Sequence, residues 1–147
     1  SPYKNDRDSI SGLYYVPKNA QSVYEETIKA FNSGMMILAA IGIRATIEAI
    51  AIEQKIKVRG IETKINKMEE QKIITPDSAK LLKLVKDIGN LAAHEIKKHH
   101  RDDISLCLDI IEGVFRSLYI HPVEAKRTRE KQKTLQTISL KISGALL

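Results

Sequence analysis

Residues 35–57 have the sequence MMILAAIGIRATIEAIAIEQKIK, and this stretch decides the fold class. It is apolar on nearly every side, which is typical of a helix at the centre of a bundle. Residues 35–52 are also long enough to span a membrane, but Arg44 and Glu48 lie among them. Two charges there favour the centre of a soluble bundle over a bilayer. We therefore predict the longest helix of the chain here, at the core of its fold.

The segment before this helix combines an irregular start with a shorter helix. Residues 1–18 are polar and punctuated by Pro and Gly, and residues 13–16 (LYYV) are their only apolar patch. We expect that patch to be a short extended arm laid over the core. Asn19 is a candidate N-cap for a helix that ends at Asn32, before Ser33 and Gly34.

The segment after the central helix contains clear signals for two helices. Gly60 marks a turn, and Thr75 followed by Pro76 is a helix start, with a capping hydroxyl and Pro at the first helical position. Apolar residues recur at helical spacing in both segments. They are Ile61, Ile65 and Met68 in a helix ending near Gln71, and Leu81, Leu84, Val85, Ile88 and Leu91 in the next.

The last third of the chain predicts one apolar helix and one basic one. Asp102 or Asp103 opens the first, and Pro122 either stops it or starts the next. The apolar positions are Ile104, Leu108, Ile111, Phe115 and Leu118, and then Leu135, Ile138 and Ile142. With no β alternation in the sequence, we predict an all-α bundle of about five helices. Its parts are an arm at 1–18, the bundle at 19–121, and a basic C-terminal helix or linker at 122–147.

Residues 81–95, LLKLVKDIGNLAAHE, contain the first candidate for chemistry. Asn90 and His94 stand four residues apart, so they share one face of a continuing helix. A His can move a proton near neutral pH, and an Asn amide can orient a phosphate. The alternative is structural, with His94 capping a helix end and Asn90 as a polar neighbour.

Arg44 and Glu48 form the second candidate. They lie on the helix face that also carries Ile37, Ile41 and Ile52. A buried charge needs a partner, so one interpretation is an ion pair that ties helices together. The other is that Arg44 projects into the cavity of His94 and offers a cation to a phosphate.

Net charge adds a third candidate, a surface for polyanions. The formal charge is +6, which permits a nucleic-acid partner but does not separate RNA from DNA. The candidate contacts are Lys97, Lys98, Arg101, Lys126 and Arg127. A solvated face is the alternative, since no aromatic residues interleave these cations in the sequence.

Several other classes of site have little support. His99 and His100 match no familiar ligand spacing beside so many cations, so we predict no metal and no cofactor. Cys107 is the only cysteine and lies on an apolar stripe, where a buried thiol is expected. Motifs of P-loop NTPases, α/β-hydrolases and zinc proteases are absent. We expect a cytoplasmic protein, and the start at Ser1 instead of Met suggests a trimmed chain or a piece of a longer one.

Four short motifs together resemble one bacterial family: YEE at 24–26, GIRATIE at 42–48, GNLAAH at 89–94 and YIHP at 119–122. The chain from about Tyr14 to Val123 is similar to the domain of unknown function numbered 4145, regarded as HEPN-like. The resemblance implies a helical bundle that commonly dimerises. It also implies a relation to metal-independent endoribonucleases of anti-phage systems, in which an Arg, a polar residue and a His act across a dimer.

The site residues carry over by position. His94 matches the catalytic His and Asn90 the polar residue, but Gly89 occupies the place of the Arg. The main hypothesis is therefore a dimerising interaction module or nucleic-acid-binding module, linked to bacterial defence or restriction. Its expected partners are a second copy, RNA or DNA, and an effector or restriction domain. The alternative is an endoribonuclease in which Arg44, held by Glu48, replaces the missing cation.

Overall fold

The computed structural model of the protein describes residues 6–85 and 101–145. These residues form six α-helices: α1 (Lys18–Asn32), α2 (Met36–Glu53), α3 (Ile61–Glu70), α4 (Pro76–Leu82), α5 (Arg101–Phe115) and α6 (His121–Ala145). Short 3₁₀ turns occupy Leu13–Tyr15 and Lys83–Val85, and a π-helical turn occupies Arg116–Ile120. The described ranges hold no strand. The all-α prediction, with about five helices in the bundle, is confirmed.

Helix α2 is the centre of the bundle, as its composition predicts. It packs against α1, α3 and α5. Its inward side chains are fully or almost fully buried: Met36, Ala39, Ala40, Ile43, Thr46, Ile47, Ile50 and Ala51. The helix ends at Glu53 and has 18 residues. It is not the longest helix, because α6 has 25.

The first three helices all end in the same Schellman turn. In α1 the amide of Met35 donates to the carbonyl of Ala30, and Gly34 takes the left-handed conformation with φ of 75°. Helices α2 and α3 repeat this pattern with Lys55 (φ 58°) and Lys72 (φ 60°) at the left-handed position. A lysine is strained there because its Cβ crowds the backbone, whereas glycine is not.

Helix α3 follows the predicted pattern. Ile61, Ile65 and Met68 are buried on one stripe of α3.

Helix α4 follows the predicted pattern only in part, because it ends at Leu82 and a tighter 3₁₀ turn at Lys83–Val85 changes which side chains face the core. Val85 is buried but Leu84 is 43% exposed, and Ile88 and Leu91 lie outside the described residues. At the start of α4 the Thr75 hydroxyl accepts from the amide of Ser78 at 3.1 Å, with Pro76 at the first helical position. The cap satisfies an amide that has no partner within the helix.

Helix α5, the π-helical turn and α6 run without a break from residue 101 to residue 145. Pro122 therefore neither stops nor starts a helix, contrary to the prediction. The wide turn at Arg116–Ile120 displaces the carbonyls against which the Pro122 ring would clash, so the proline is tolerated. Asp102 and Asp103 lie inside the first turn of α5 and do not cap it. Apart from the half-buried Leu118, the predicted stripe of α5 is buried.

Hydrogen bonds and ion pairs hold the N-terminal segment against the bundle. The Arg7 guanidinium donates to Ser105, Asp109 and Glu112 of α5, and Tyr24 of α1 donates to Glu112 at 2.6 Å. The predicted apolar patch covers the core, with Leu13 buried, but as a 3₁₀ turn and not an extended arm. Helix α1 begins at Lys18 after Pro17, so Asn19 is not its cap.

Candidate nucleic-acid interface

The predicted catalytic pair lies outside the described residues. Gly89, Asn90 and His94 fall between positions 86 and 100, as do Lys97 and Lys98 of the predicted basic surface. The roles assigned to these side chains stay predictions.

Arg44 and Glu48 lie on the outer side of α2 and not at the bundle centre. Arg44 Nε is 3.7 Å from Glu48 Oε1, and Glu48 Oε2 is 3.5 Å from Lys64 Nζ on α3. Both members of the α2 pair are partly exposed, and Ile41 and Ile52 on the same face are exposed. The structure shows the ion pair of the first interpretation, which ties α2 to α3. Such a partly exposed network contributes little to stability. The second interpretation involves His94, which lies outside the described residues, and stays a prediction.

Arg101 makes intramolecular contacts at the start of α5. Its guanidinium carbon is 4.1 Å from the centroid of the Phe31 ring, and its Nη1 donates to the Phe31 carbonyl at 3.1 Å. Phe31 is buried at the end of α1. Arg101 therefore joins α5 to α1 through a cation–π contact and a hydrogen bond.

Lys126 and Arg127 lie on α6, the most basic element that the structure describes. Helix α6 carries six Lys or Arg residues against two Glu, and none of its side chains is buried. At 100° per residue, Lys126, Arg129 and Lys133 share one face. Leu135, Ile138 and Ile142 form an exposed stripe on the opposite side. The predicted basic helix is present, and its cations face solvent.

Two tyrosines of the N-terminal turn lie beside this basic helix. The Tyr14 and Tyr15 ring centroids are 4.3 Å apart with the planes tilted by 49°. The guanidinium of Arg127 is 5.5 Å from the Tyr15 centroid. Tyr14 is 73% exposed, while Tyr15 packs against the core. The sequence gives no sign of this contact, because these rings stand more than a hundred residues from Arg127.

Cys107 is buried on α5, as predicted. Burial, with a smaller effect of Asp103, raises the pKa of its thiol from 9.0 to about 12. Its Sγ approaches the Leu81 carbonyl at 3.8 Å. A thiol held neutral in the core is a poor nucleophile, so Cys107 is a packing residue.

None of the described helices is long and apolar enough to cross a membrane. A family model described as Domain of unknown function (DUF4145) matches residues 25–137. The match takes in helices α2 to α5 and more than half of α6. No curated protein and no solved structure matches the chain.

Proposed function

The chain belongs to the family described as Domain of unknown function (DUF4145), and we propose that it is a HEPN-like interaction module that binds nucleic acid through helix α6. The setting we propose is a bacterial defence or restriction-linked protein, with an effector or restriction domain as a further partner. The all-α bundle and the order of the GIRATIE, GNLAAH and YIHP motifs support the HEPN-like assignment.

One observation carries the nucleic-acid part of this proposal. Over 25 residues α6 buries no side chain and has a formal charge of +4, from six cations and two Glu. Among the described residues, α6 packs on the bundle only through its first turns, so its exposed apolar and basic faces are suited to binding a partner. Lys126, Arg129 and Lys133 on one face can neutralise phosphates and release their counterions.

A matched pair of charge reversals tests this proposal. The test variant carries Lys126→Glu, Arg129→Glu and Lys133→Glu on α6. The control carries Lys57→Glu, Arg59→Glu and Lys80→Glu, exposed positions elsewhere on the bundle. Both variants change the net charge by the same amount, so only the place of the cations differs.

Binding to a labelled single-stranded RNA is then compared by fluorescence anisotropy. We expect the α6 variant to lose at least about tenfold in affinity and the control to lose much less, because only the former removes phosphate contacts. Equal losses would mean that net charge alone attracts the RNA, and the proposal would be wrong. Absence of binding by the wild type would also overturn it.

Self-association through α2 is the second part of the proposal. Leu38, Ile41 and Ile52 are exposed on one side of this helix, beside the half-exposed Ala45. Large exposed apolar groups at helical spacing are typical of an interface, and we propose a second copy of the chain as the partner.

The double variant Leu38→Asp, Ile41→Asp tests this self-association. It should shift the sedimentation of the protein to that of a monomer. Leu140→Asp, at an exposed apolar position on α6, is the control and should leave the sedimentation unchanged.

The endoribonuclease alternative depends on His94, which lies outside the described residues. It stays a prediction, with Asn90, Arg44 and Glu48 as the other residues assigned to that chemistry. Its test is cleavage of single-stranded RNA in EDTA by the wild type and by His94→Ala. Loss of cleavage in the variant, with cyclic-phosphate ends in the wild type, would establish the activity.

A further inference from the structure

The 3₁₀ turn at Leu13–Tyr15 is held rigidly from several sides. The amide of Tyr15 donates to the Gly12 carbonyl at 3.0 Å, and the side-chain amide of Gln21 donates to the Leu13 carbonyl at 2.8 Å. Leu13 and Val16 on either side of the tyrosines are buried. The turn therefore presents its outward residue in a fixed position.

That outward residue is Tyr14, which is large, aromatic and 73% exposed. The Tyr15 ring supports it at a centroid distance of 4.3 Å and itself packs on the core. A ring ordered in advance loses little conformational entropy on binding a flat ligand, so it is suited to stacking.

The same turn adjoins the basic helix. The guanidinium of Arg127 on α6 is 5.5 Å from the Tyr15 centroid. Lys131 follows one turn further along α6 and is exposed. The two tyrosines thus lie beside two cations, Arg127 and Lys131, on the side of α6 away from Lys126, Arg129 and Lys133. Aromatic rings next to cations are the combination used to bind unpaired nucleotides.

We infer that the Tyr14 ring is a stacking site for an unpaired nucleobase, so that the ligand of the basic helix is single-stranded nucleic acid. This inference rests on the proposed function of α6 and adds a site and a ligand class to it. A base stacked on Tyr14 leaves its phosphates free to meet Arg127 and Lys131. In a duplex the base faces are already stacked on each other, so Tyr14 could contact only the outside of the helix.

Three substitutions at one exposed position test the stacking. Tyr14→Ala removes the ring, Tyr14→Phe keeps it without the hydroxyl, and Tyr14→Trp enlarges it. Binding is measured with a fluorescein-labelled single-stranded RNA and with the duplex of the same sequence. We expect Tyr14→Ala to weaken binding of the single strand by roughly tenfold and of the duplex by much less, with Tyr14→Phe close to wild type.

The Trp variant adds a direct readout of stacking. The chain contains no Trp, so Tyr14→Trp introduces a single indole fluorophore. Single-stranded RNA should quench its fluorescence. Leu106→Trp, at an exposed position on α5, is the control and should show no quenching.

The outcomes of these experiments distinguish an error in the stacking site from an error in the proposed function of α6. If Tyr14→Ala binds the single strand as wild type does while the α6 charge reversal abolishes binding, the stacking site is wrong and the function of α6 stands. Equal weakening for single strand and duplex would also overturn the stacking site. If the wild type binds neither RNA, both proposals fall.

Discussion

Gly42 of helix α2 lies directly against Thr27 of helix α1, and the two helices cross at this point. A Cβ built on Gly42 would lie 2.9 Å from the Cβ of Thr27, closer than real side chains approach. Thr27 is buried and its hydroxyl donates to the Val23 carbonyl at 2.7 Å, so it cannot turn aside without losing that bond. The glycine of the GIRATIE motif is therefore a packing requirement of the central helix.

Gly42→Ala should lower the free energy of unfolding by about 1–3 kcal/mol, because a methyl group there overpacks the crossing. Gly113→Ala is the matched control in α5, where an added Cβ meets no atom within 4 Å. It should raise stability by about 0.5–1 kcal/mol, since alanine is the better helix former. Urea unfolding followed by circular dichroism measures both. A Gly42→Ala variant as stable as the wild type would show that the crossing is looser than described.

The left-handed lysines at the ends of α2 and α3 give a prediction of the opposite sign. Lys55→Gly and Lys72→Gly should each stabilise the protein by up to about 1 kcal/mol, because glycine adopts a positive φ without strain. Gly34→Ala, in the equivalent position after α1, should destabilise it by a similar amount. Midpoints of urea unfolding test all three. A loss of stability in both Lys→Gly variants would contradict the prediction.

The Arg7 contacts predict that losing Asp109, an exposed carboxylate, costs less stability than losing Arg7, the cation that it shares with the buried Glu112. Arg7 Nη2 is 2.6 Å from Asp109 and 2.9 Å from Glu112, whose side chains are 58% and 8% exposed. Asp109→Asn should cost less than about 1 kcal/mol, because an exposed ion pair is weak. Arg7→Ala should cost about 3–5 kcal/mol, because it leaves the Glu112 carboxylate buried without its cation. Similar costs in both variants, measured by urea unfolding, would mean that Glu112 does not depend on Arg7.

Stability should fall in alkaline solution because of Cys107. Its pKa is raised from 9.0 to about 12 in the folded chain, so the unfolded chain loses the thiol proton first. The thiol's contribution to the free energy of unfolding is fully present below pH 9. It is lost as pH rises from 9 towards 12, by at most about 4 kcal/mol. Burial and the hydrogen bond to Glu112 raise the pKa of Tyr24 as well. The contribution of Tyr24 to the free energy of unfolding is therefore also lost as pH rises above 10.

Cys107→Ala isolates the thiol from the other groups. The variant should lose less stability than the wild type between pH 8 and pH 11, whatever its stability at pH 8. Unfolding curves followed by circular dichroism at each pH give the slope of the free energy of unfolding against pH for the wild type and for the variant. Identical slopes would show that the thiol ionises as readily in the folded chain as in the unfolded one.

The sequence predicts those features of the fold that depend on local periodicity. The apolar run of α2, the stripe at Ile61, Ile65 and Met68, and the Thr75 cap are all encoded within a few residues of one another. The helix around Pro122 could not be predicted in this way. Whether a proline breaks a helix depends on the width of the preceding turn, which the sequence pattern does not show.

Contacts between distant parts of the chain cannot be predicted from local sequence patterns either. Arg7 meets Glu112 and Tyr15 meets Arg127 only because the N-terminal segment folds back across α5 and α6. The sequence predicts Arg44 at the bundle centre because α2 is apolar all round, but periodicity cannot say which side of such a helix faces out. The candidate interface is therefore partly a sequence prediction, at Lys126 and Arg127, and partly a result of the fold, at Tyr14.

The most direct test of the central claim is to map the nucleic-acid contact residue by residue. Amide chemical shifts of the isotopically labelled chain are followed by NMR while a short single-stranded RNA is added. If α6 binds nucleic acid, the largest changes will lie at residues 121–145 and at the turn around Tyr14, and they will fade as salt is raised. Changes confined to α3 and α4, or none at all, would contradict the claim.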